Sequence, residues 1–157
     1  MAQGSQPTMK ADAALRARVG DVPPGIDFPP VALVAAPPLA RATVAIVTTA
    51  ALARPGEPWA DQTHDYRLFD RDDDALLIAH NSTNFDRSGF ALDRNVVYPI
   101  DRLAELERTG RIGRVAPRHA SFIGSTFELG TFLIDTGPRL ASELRRDGVD
   151  VALLTPV

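Results

Sequence analysis

One stretch of the sequence decides its fold class: Ala42-Thr43-Val44-Ala45-Ile46-Val47-Thr48. It is a nearly continuous run of apolar and β-branched residues, and it does not alternate between apolar and polar positions. Strands with this pattern are covered on both faces, as in parallel sheets that are flanked by helices. We therefore predict that residues 42–48 form a buried strand of an α/β sheet.

Two further segments of similar composition are predicted strands, at residues 75–80 and 149–154. A helix predicted at residues 138–147, just before the last strand, completes half of a βαβ unit, whose right-handed crossover delivers a parallel strand. We predict a three-layer α/β domain with a mainly parallel sheet over residues 31–157. Residues 1–30 mix several prolines with Gly, Ser and charged residues, and we predict an irregular N-terminal arm there.

Two predicted helices are marked by residues that are typical of helix ends. The first, at residues 99–109, begins at a proline, carries a stripe of apolar residues and stops before a glycine. The second, at residues 138–147, follows Thr136 as its predicted N-cap. It carries Arg139 and Glu143 at the spacing of a helical ion pair.

Length, charge and composition exclude several classes of function. The chain has 157 residues, 45% of them hydrophobic, and a formal net charge of −3, which does not support a broad nucleic-acid interface. It has no cysteine, so it has neither disulfides nor thiolate chemistry. It also lacks an apolar run of ~18 residues, which a membrane-spanning helix requires. Because the N-terminus lacks the pattern of a signal peptide, we predict a cytoplasmic protein.

The three histidines are candidates for proton transfer rather than for metal binding. His64, His80 and His119 have no spacing that places two ligands on one element, so no metal site is predicted. His80 ends a predicted strand, and His119 stands on a predicted loop close to Ser121. We predict that His80 and His119 are catalytic, with His80 as a general acid or as a hydrogen-bond donor to a substrate carboxylate. The structural alternative for His80 is a strand-end histidine that is bonded to the backbone.

Candidate substrate-binding residues lie where the predicted strands end. Thr48 and Thr49 come at the end of the first strand, where hydroxyl and backbone N–H groups can hold an anion. Arg67 and Arg118 are candidates for binding a carboxylate with two parallel hydrogen bonds. We select Arg118 because His119 is its neighbour, and we add Ser121 to the predicted binding residues. The alternative for the two threonines is a simple strand terminus.

Several ordered segments form a pattern that extends from about Phe28 to Val157. They are Asp93-Arg94-Asn95-Val96-Val97-Tyr98-Pro99-Ile100-Asp101-Arg102-Leu103, Gly110-Arg111-Ile112-Gly113, His119-Ala120-Ser121-Phe122-Ile123-Gly124, Val44–Thr49, His64-Asp65-Tyr66-Arg67 and Gly148-Val149-Asp150-Val151-Ala152-Leu153-Leu154-Thr155-Pro156-Val157. Together these segments resemble one protein family, the selenoprotein B subunits of glycine, sarcosine, betaine and D-proline reductases.

The resemblance implies an oxidoreductase that reductively cleaves the carbon–nitrogen bond α to a carboxylate. The nucleophile of that family is a selenocysteine, or a cysteine in relatives, just beyond the strand that here reaches Val157. No nucleophile of this kind lies within residues 1–157, so we expect selenocysteine immediately after Val157 and a sequence that is truncated before it. No other cofactor is expected. The implied partners are an amino-acid-like small molecule and other reductase-complex subunits, in a homo- or hetero-oligomer.

A binding role is the alternative to catalysis. The same fold without a nucleophile is expected to hold a small carboxylate or to act as a non-catalytic subunit of a heteromeric complex. A hydroxyl group does not replace a selenol or thiol unless a base lies beside it. The two hypotheses therefore differ in the residue that is expected after Val157.

Overall fold

A computed structural model of the chain describes residues 34–60, 63–80, 88–124 and 129–157. Ala35–Val157 form one compact unit, which contains the sheets and helices. The predicted N-terminal arm, residues 1–30, lies outside the described residues, so its irregular character stays a prediction.

This unit is built from short strands and helices. In chain order, the described elements are a 3₁₀ turn (Leu39–Arg41), β1 (Thr43–Thr48), β2 (Leu52–Ala53), β3 (Arg67–Asp70), β4 (Leu77–Ile78), α1 (Ser88–Leu92), a 3₁₀ turn (Arg94–Val96), α2 (Ile100–Arg108), β5 (Arg114–Val115), β6 (Arg118–Ser121), α3 (Leu129–Thr131), a π-helical segment (Phe132–Thr136), α4 (Gly137–Arg146) and β7 (Val151–Thr155).

The centre of the main sheet is β1, which is buried along almost its whole length. The short strands β5 and β6 pair with one edge of β1, and β7 pairs with the other edge. All three pairings are parallel, as expected for a strand whose side chains are apolar on both faces. The predicted first strand, the predicted C-terminal strand and the mainly parallel α/β sheet are therefore confirmed.

One strand of the main sheet was not predicted. β3 pairs with β6 in the antiparallel direction, with Phe69 opposite His119. Because β3 is four residues long and has charged residues at both ends, its sequence does not show the apolar pattern of a buried strand. His119 lies within β6, and its predicted position on a loop is therefore wrong.

The strand predicted at residues 75–80 is wrong in its extent and its position. Only Leu77 and Ile78 form a strand, β4, which pairs with β2 in a separate antiparallel sheet. Leu77 is 55% exposed, whereas Leu76 is buried. The segment therefore lies against the loop after β1 and is not part of the main sheet. The N–H of Ala79 donates to the carbonyl of Ala51 in that loop.

The two predicted helices are present as α2 and α4, but α4 does not begin at a cap. Thr136 has helical φ and ψ, and its side chain forms no capping hydrogen bond. The π-helical segment and α3 precede it, so the described part of the helical stretch reaches back to Leu129. The predicted pair is also wrong, because Arg139 binds Asp65 and Asp135 instead of Glu143.

Helices cover both faces of the main sheet, as the side chains of β6 show. Side chains alternate between the faces along a strand. Arg118 meets one face, where its guanidinium binds Asp147 at the end of α4. His119 meets the other face, where its ring packs edge-on against the ring of Tyr98, just before α2. The predicted three-layer arrangement is therefore present.

The imidazole of His119 completes the hydrogen bonding of β1. Val44 pairs with Val115, and Val47 pairs with Ala120. The partner segment thus advances five residues while β1 advances three, and this bulge removes the backbone acceptor next to Ile46. The N–H of Ile46 donates instead to Nδ1 of His119, at 2.9 Å.

This position explains why His119 is kept neutral. Its side chain is fully buried, and its Nδ1 must stay unprotonated to accept from Ile46. Burial is the larger cause that lowers its pKa to about 4, and the positive charge of Arg71 is the smaller one. Nε2 of His119 and the hydroxyl of Tyr98 are buried without a hydrogen-bond partner among the described residues.

We predict that stability falls as the pH drops from about 6.5 towards 4, because His119 binds a proton in the unfolded chain but not in the folded one. The pKa of about 4, against about 6.5 when unfolded, corresponds to a loss of about 3 kcal/mol across this window. Urea denaturation at a series of pH values measures it. His119→Asn is the control, because asparagine keeps an acceptor but does not titrate. An equal loss in both proteins contradicts the prediction.

Candidate functional site

Three parallel strands end at the same edge of the main sheet, which we name the carboxyl edge. Their last residues are Thr48 of β1, Ser121 of β6 and Thr155 of β7. β3 runs in the opposite direction, so its first residue, Arg67, also lies at this edge, opposite Ser121. Ligands of open α/β sheets bind outside the carboxyl ends of the strands, which makes this edge the candidate site.

Two of the predicted binding hydroxyls are used inside the fold. Thr48 is fully buried, and its Oγ1 donates to the carbonyl of Val97 at 2.9 Å. Ser121 is fully buried as well, and its Oγ accepts from the N–H of Leu52 at 2.9 Å. These hydroxyls fix the loops around the carboxyl edge, and they are not exposed to a ligand.

The backbone N–H groups after β1 are also occupied. The N–H of Thr49 donates to Thr155, that of Ala50 to the hydroxyl of Thr48, and that of Ala51 to Phe122. Ala51 has a φ of 53°, in the left-handed region that non-glycine residues rarely adopt. The turn is thus held by internal bonds, and its N–H groups do not form the anion site that the sequence suggested.

Four residues at the carboxyl edge lie together and are named the carboxyl-edge cluster: Thr49, His80, Gly124 and Val157. The hydroxyl of Thr49 accepts from the N–H of Val157 at 2.8 Å. A Cβ added to Gly124 would lie 3.3 Å from Cβ of Thr49 and 3.6 Å from Nε2 of His80. The structure therefore brings one predicted site residue, Thr49, to Val157, and it places a second one, His80, near Gly124.

Arg118 and His119 are not brought to this cluster. The guanidinium of Arg118 forms ion pairs with Asp147 and Glu143, at 2.9 and 3.0 Å. Hydrogen bonds to these two carboxylates raise the pKa of Arg118 above its usual value. His119 is bonded to Ile46, as described above. Both residues of β6 therefore stabilise the layers on either side of the sheet.

Arg67 lies at the carboxyl edge. Its guanidinium donates to the carbonyls of Glu57 and Pro58, each at 2.7 Å, and stacks at 4.3 Å over the ring of Trp59. Within the described ranges it forms no ion pair with a carboxylate. Because its positive charge is not neutralised by those residues, Arg67 suits the binding of an anion better than Arg118 does.

Aromatic rings flank the carboxyl edge, and they were not among the residues predicted from the sequence. Phe122 follows β6 directly, and its ring lies 5.9 Å from that of Tyr66 and 5.4 Å from that of Phe132. His64 packs edge-on against Phe132 at 6.1 Å. An aromatic residue directly after one strand and another directly before its antiparallel neighbour is a signal that could have identified this group.

Metal binding has no support in the part of the chain that the structure describes. No group of three or more His, Cys, Asp or Glu residues there is close enough to hold an ion. In the same ranges, none of the helices has both the length and the apolar character that crossing a membrane requires.

Comparison with known families gives a match over most of the chain. Residues 26–157 match the family described as Glycine/sarcosine/betaine reductase selenoprotein B. This chain belongs to that family. The match includes the whole main sheet and all four residues of the carboxyl-edge cluster, and it confirms the resemblance seen in the sequence.

Two curated relatives of this member of the selenoprotein B family are reductase subunits. It is 30% identical over 117 residues to the D-proline reductase subunit gamma of Acetoanaerobium sticklandii, which covers 72% of this chain and 48% of the relative. It is 27% identical over 129 residues to the glycine reductase complex component B subunit gamma of Carboxydothermus hydrogenoformans, which covers 74% of this chain and 28% of the relative. The chain thus spans about half or less of these relatives. No solved structure matches it.

Some segments that carry the selenoprotein B resemblance have a structural role. The carboxylate of Asp93 accepts from the N–H of Asn95 at 2.8 Å, and the amide of Asn95 donates to Asp101 in the first turn of α2. A Cβ on Gly113 would lie 2.5 Å from the carbonyl carbon of Arg41, so only glycine fits there. These residues orient α2 and the start of β5.

We predict that Arg118→Gln lowers the free energy of unfolding by about 1–2 kcal/mol, because it removes two charge-assisted contacts that are only partly screened by water. Arg111→Gln, at an exposed position between α2 and β5, is the matched control and should change it by less than about 0.5 kcal/mol. Urea denaturation measures both. Equal effects of the two substitutions would contradict a structural role for Arg118.

Proposed function

We propose that this chain is part of a reductase-complex subunit that cleaves a carbon–nitrogen bond α to the carboxylate of an amino-acid-like substrate. Family membership and the two relatives, both named as gamma subunits, support this proposal. The observation that carries it is the hydrogen bond between Val157 and Thr49, because it holds the main chain at Val157 inside the carboxyl-edge cluster.

The proposal includes a selenocysteine or a cysteine directly after Val157 in the complete protein. A selenol is ionised near neutral pH, and it supplies a strong nucleophile for attack on an activated carbon. Neither Thr48 nor Ser121 can take this role, because both hydroxyls are buried and bonded within the fold. A residue joined to Val157 would begin at the carboxyl edge, which is where ligands of such sheets approach.

His80 is the proposed general acid of the site. A Cβ added to Gly124 would lie 3.6 Å from Nε2 of His80 and 3.3 Å from Cβ of Thr49, and the histidine is 6% exposed. Cleavage of a carbon–nitrogen bond leaves an amine that must gain a proton, and a positioned imidazole supplies one near neutral pH. His119 is not given this role, because its Nδ1 is required by Ile46.

Arg67 is the proposed binding residue for the substrate carboxylate. It lies at the carboxyl edge, opposite Ser121, and its guanidinium is held in place by two backbone carbonyls and by Trp59. A guanidinium that is fixed in this way keeps N–H groups for bonds to a carboxylate. The aromatic rings of Tyr66 and Phe122 lie beside the same edge and would contact the carbon skeleton of the substrate.

The proposal extends to partners and compartment. We assign the subunit to the cytoplasm, in a complex with other reductase subunits or with further copies of itself. The outer edge of β7 supports such contacts, because Leu154 is 69% exposed and the strand carries no charged residue that would discourage pairing.

A non-catalytic role is the second candidate. It is favoured by the lack of an accessible nucleophile at the carboxyl edge within the described residues, where the buried hydroxyls of Thr48 and Ser121 are already bonded. In that case Arg67 and the carboxyl-edge cluster would hold a small carboxylate without turnover. The coding DNA after the codon of Val157 separates the two: a UGA codon followed by an in-frame segment similar to the family supports catalysis.

We predict that a form extended through the family's next segment, with cysteine or selenocysteine after Val157, turns over glycine, betaine or D-proline with a dithiol reductant. The same form with serine at that position should be inactive, because a serine hydroxyl, unlike a thiol or selenol, is not ionised near neutral pH and cannot be oxidised and then regenerated by a dithiol. His80→Gln should lower kcat by roughly 100-fold, and Arg111→Gln, at the exposed position between α2 and β5, should leave it nearly unchanged. Product formation is measured by mass spectrometry. Substrate binding by all forms without turnover would refute catalysis and support the binding role.

A further inference from the structure

The pairing of β1 with β7 continues beyond the strands through a side chain. The ladder ends with Thr48 opposite Thr155, and the N–H of Thr49 still donates to the carbonyl of Thr155 at 3.3 Å. The next residue, Pro156, has no N–H to offer. The hydroxyl of Thr49 then accepts from the N–H of Val157 at 2.8 Å and lies 3.4 Å from its carbonyl oxygen.

Space beside Thr49 is left by a glycine. Gly124 has a φ of +28°, and a Cβ there would lie 3.3 Å from Cβ of Thr49 and 3.5 Å from its carbonyl oxygen. The first distance is shorter than ordinary van der Waals contact, so a side chain at this position would displace Thr49 slightly. The same added Cβ would lie 3.6 Å from Nε2 of His80. Gly124 therefore leaves room beside both the threonine and the histidine.

We infer that Thr49 is a positioning residue whose hydroxyl holds the main chain at Val157 in the carboxyl-edge cluster, and that Gly124, because it lacks a side chain, leaves Thr49 in that position. This assigns Thr49 a role different from direct substrate binding, since its oxygen is bonded to the protein's own backbone. The functional part of the inference rests on the proposed function, in which the residue after Val157 reacts. The structural part does not.

The hydroxyl can be tested apart from the bulk of the side chain. Thr49→Val keeps the shape of threonine but removes the acceptor, whereas Thr49→Ser keeps the acceptor and removes a methyl group. Thr109→Val is a matched control for the loss of a threonine hydroxyl, because Thr109 is exposed and bonds only to carbonyls of its own helix.

Gly124 has a matched control of its own. Gly124→Ala adds a Cβ against Thr49 at a positive φ, whereas Gly56→Ala adds one at a φ of +82° with nothing within 4 Å. Both substitutions place a side chain at a positive φ, and only the first one crowds Thr49. Comparison of the two therefore isolates the contact with the threonine.

The first readout is amide hydrogen exchange at Val157, followed by NMR on the 157-residue chain, with the buried amide of Ile46 as the reporter of global unfolding. We expect Thr49→Val and Gly124→Ala to accelerate exchange at Val157 by roughly 5-fold relative to Ile46. Thr49→Ser, Thr109→Val and Gly56→Ala should leave it within about 2-fold of the unsubstituted chain. If Thr49→Val does not fold, Gly124→Ala against Gly56→Ala decides the matter.

The second readout is kinetic and uses the extended form described above. Thr49→Val should lower kcat by roughly 10-fold with little change in KM, and Thr49→Ser should restore it. Unchanged exchange at Val157 in Thr49→Val, or equal acceleration in Thr49→Ser, overturns the inference even if the extended protein is active. Conversely, if exchange responds as expected but the extended protein shows no turnover, the proposed function fails while the positioning of Val157 by Thr49 stands.

Discussion

The rest of the structure depends on the pairing of β1 along both of its edges. A strand in this position is closed off from water on its faces and on its edges, so each of its N–H and C=O groups needs a partner inside the protein. The parallel partners β6 and β7 bring their carboxyl ends to the same edge as that of β1. The position of the carboxyl-edge cluster is a direct result of this pairing.

Polar side chains act where the backbone of the partner strands does not reach. His119 supplies the acceptor for Ile46 at the bulge between β5 and β6, and Thr49 supplies one for Val157 beyond the end of β7. Thr48 and Ser121 bond to neighbouring loops in the same way. Several polar residues next to the predicted strands therefore form hydrogen bonds within the protein. The reason is that a buried polar group near a strand end has to satisfy the hydrogen bonding of the backbone around it.

The sequence predicted the fold better than it predicted the site. The continuous apolar run of β1 and the helix–strand unit at the C-terminus were sufficient for the α/β class, because their pattern reflects burial on both faces. The segment at residues 75–80 has a similar composition but packs on a loop, since composition does not reveal which partner a strand has. β3 was missed because it is short and charged at both ends.

The sequence by itself determined the family, the strand at the centre of the sheet and the edge at which a ligand would bind, because each of these depends on residue order along one segment. Only the tertiary structure decided which polar residues meet there. In the structure, His119 binds the backbone of Ile46, and His80 lies at the carboxyl-edge cluster. Arg118 binds Asp147 at the end of α4, whereas Arg67 lies at the carboxyl edge. The physical reason is that side-chain direction depends on strand register and on bulges, and these are set by contacts between segments distant in sequence.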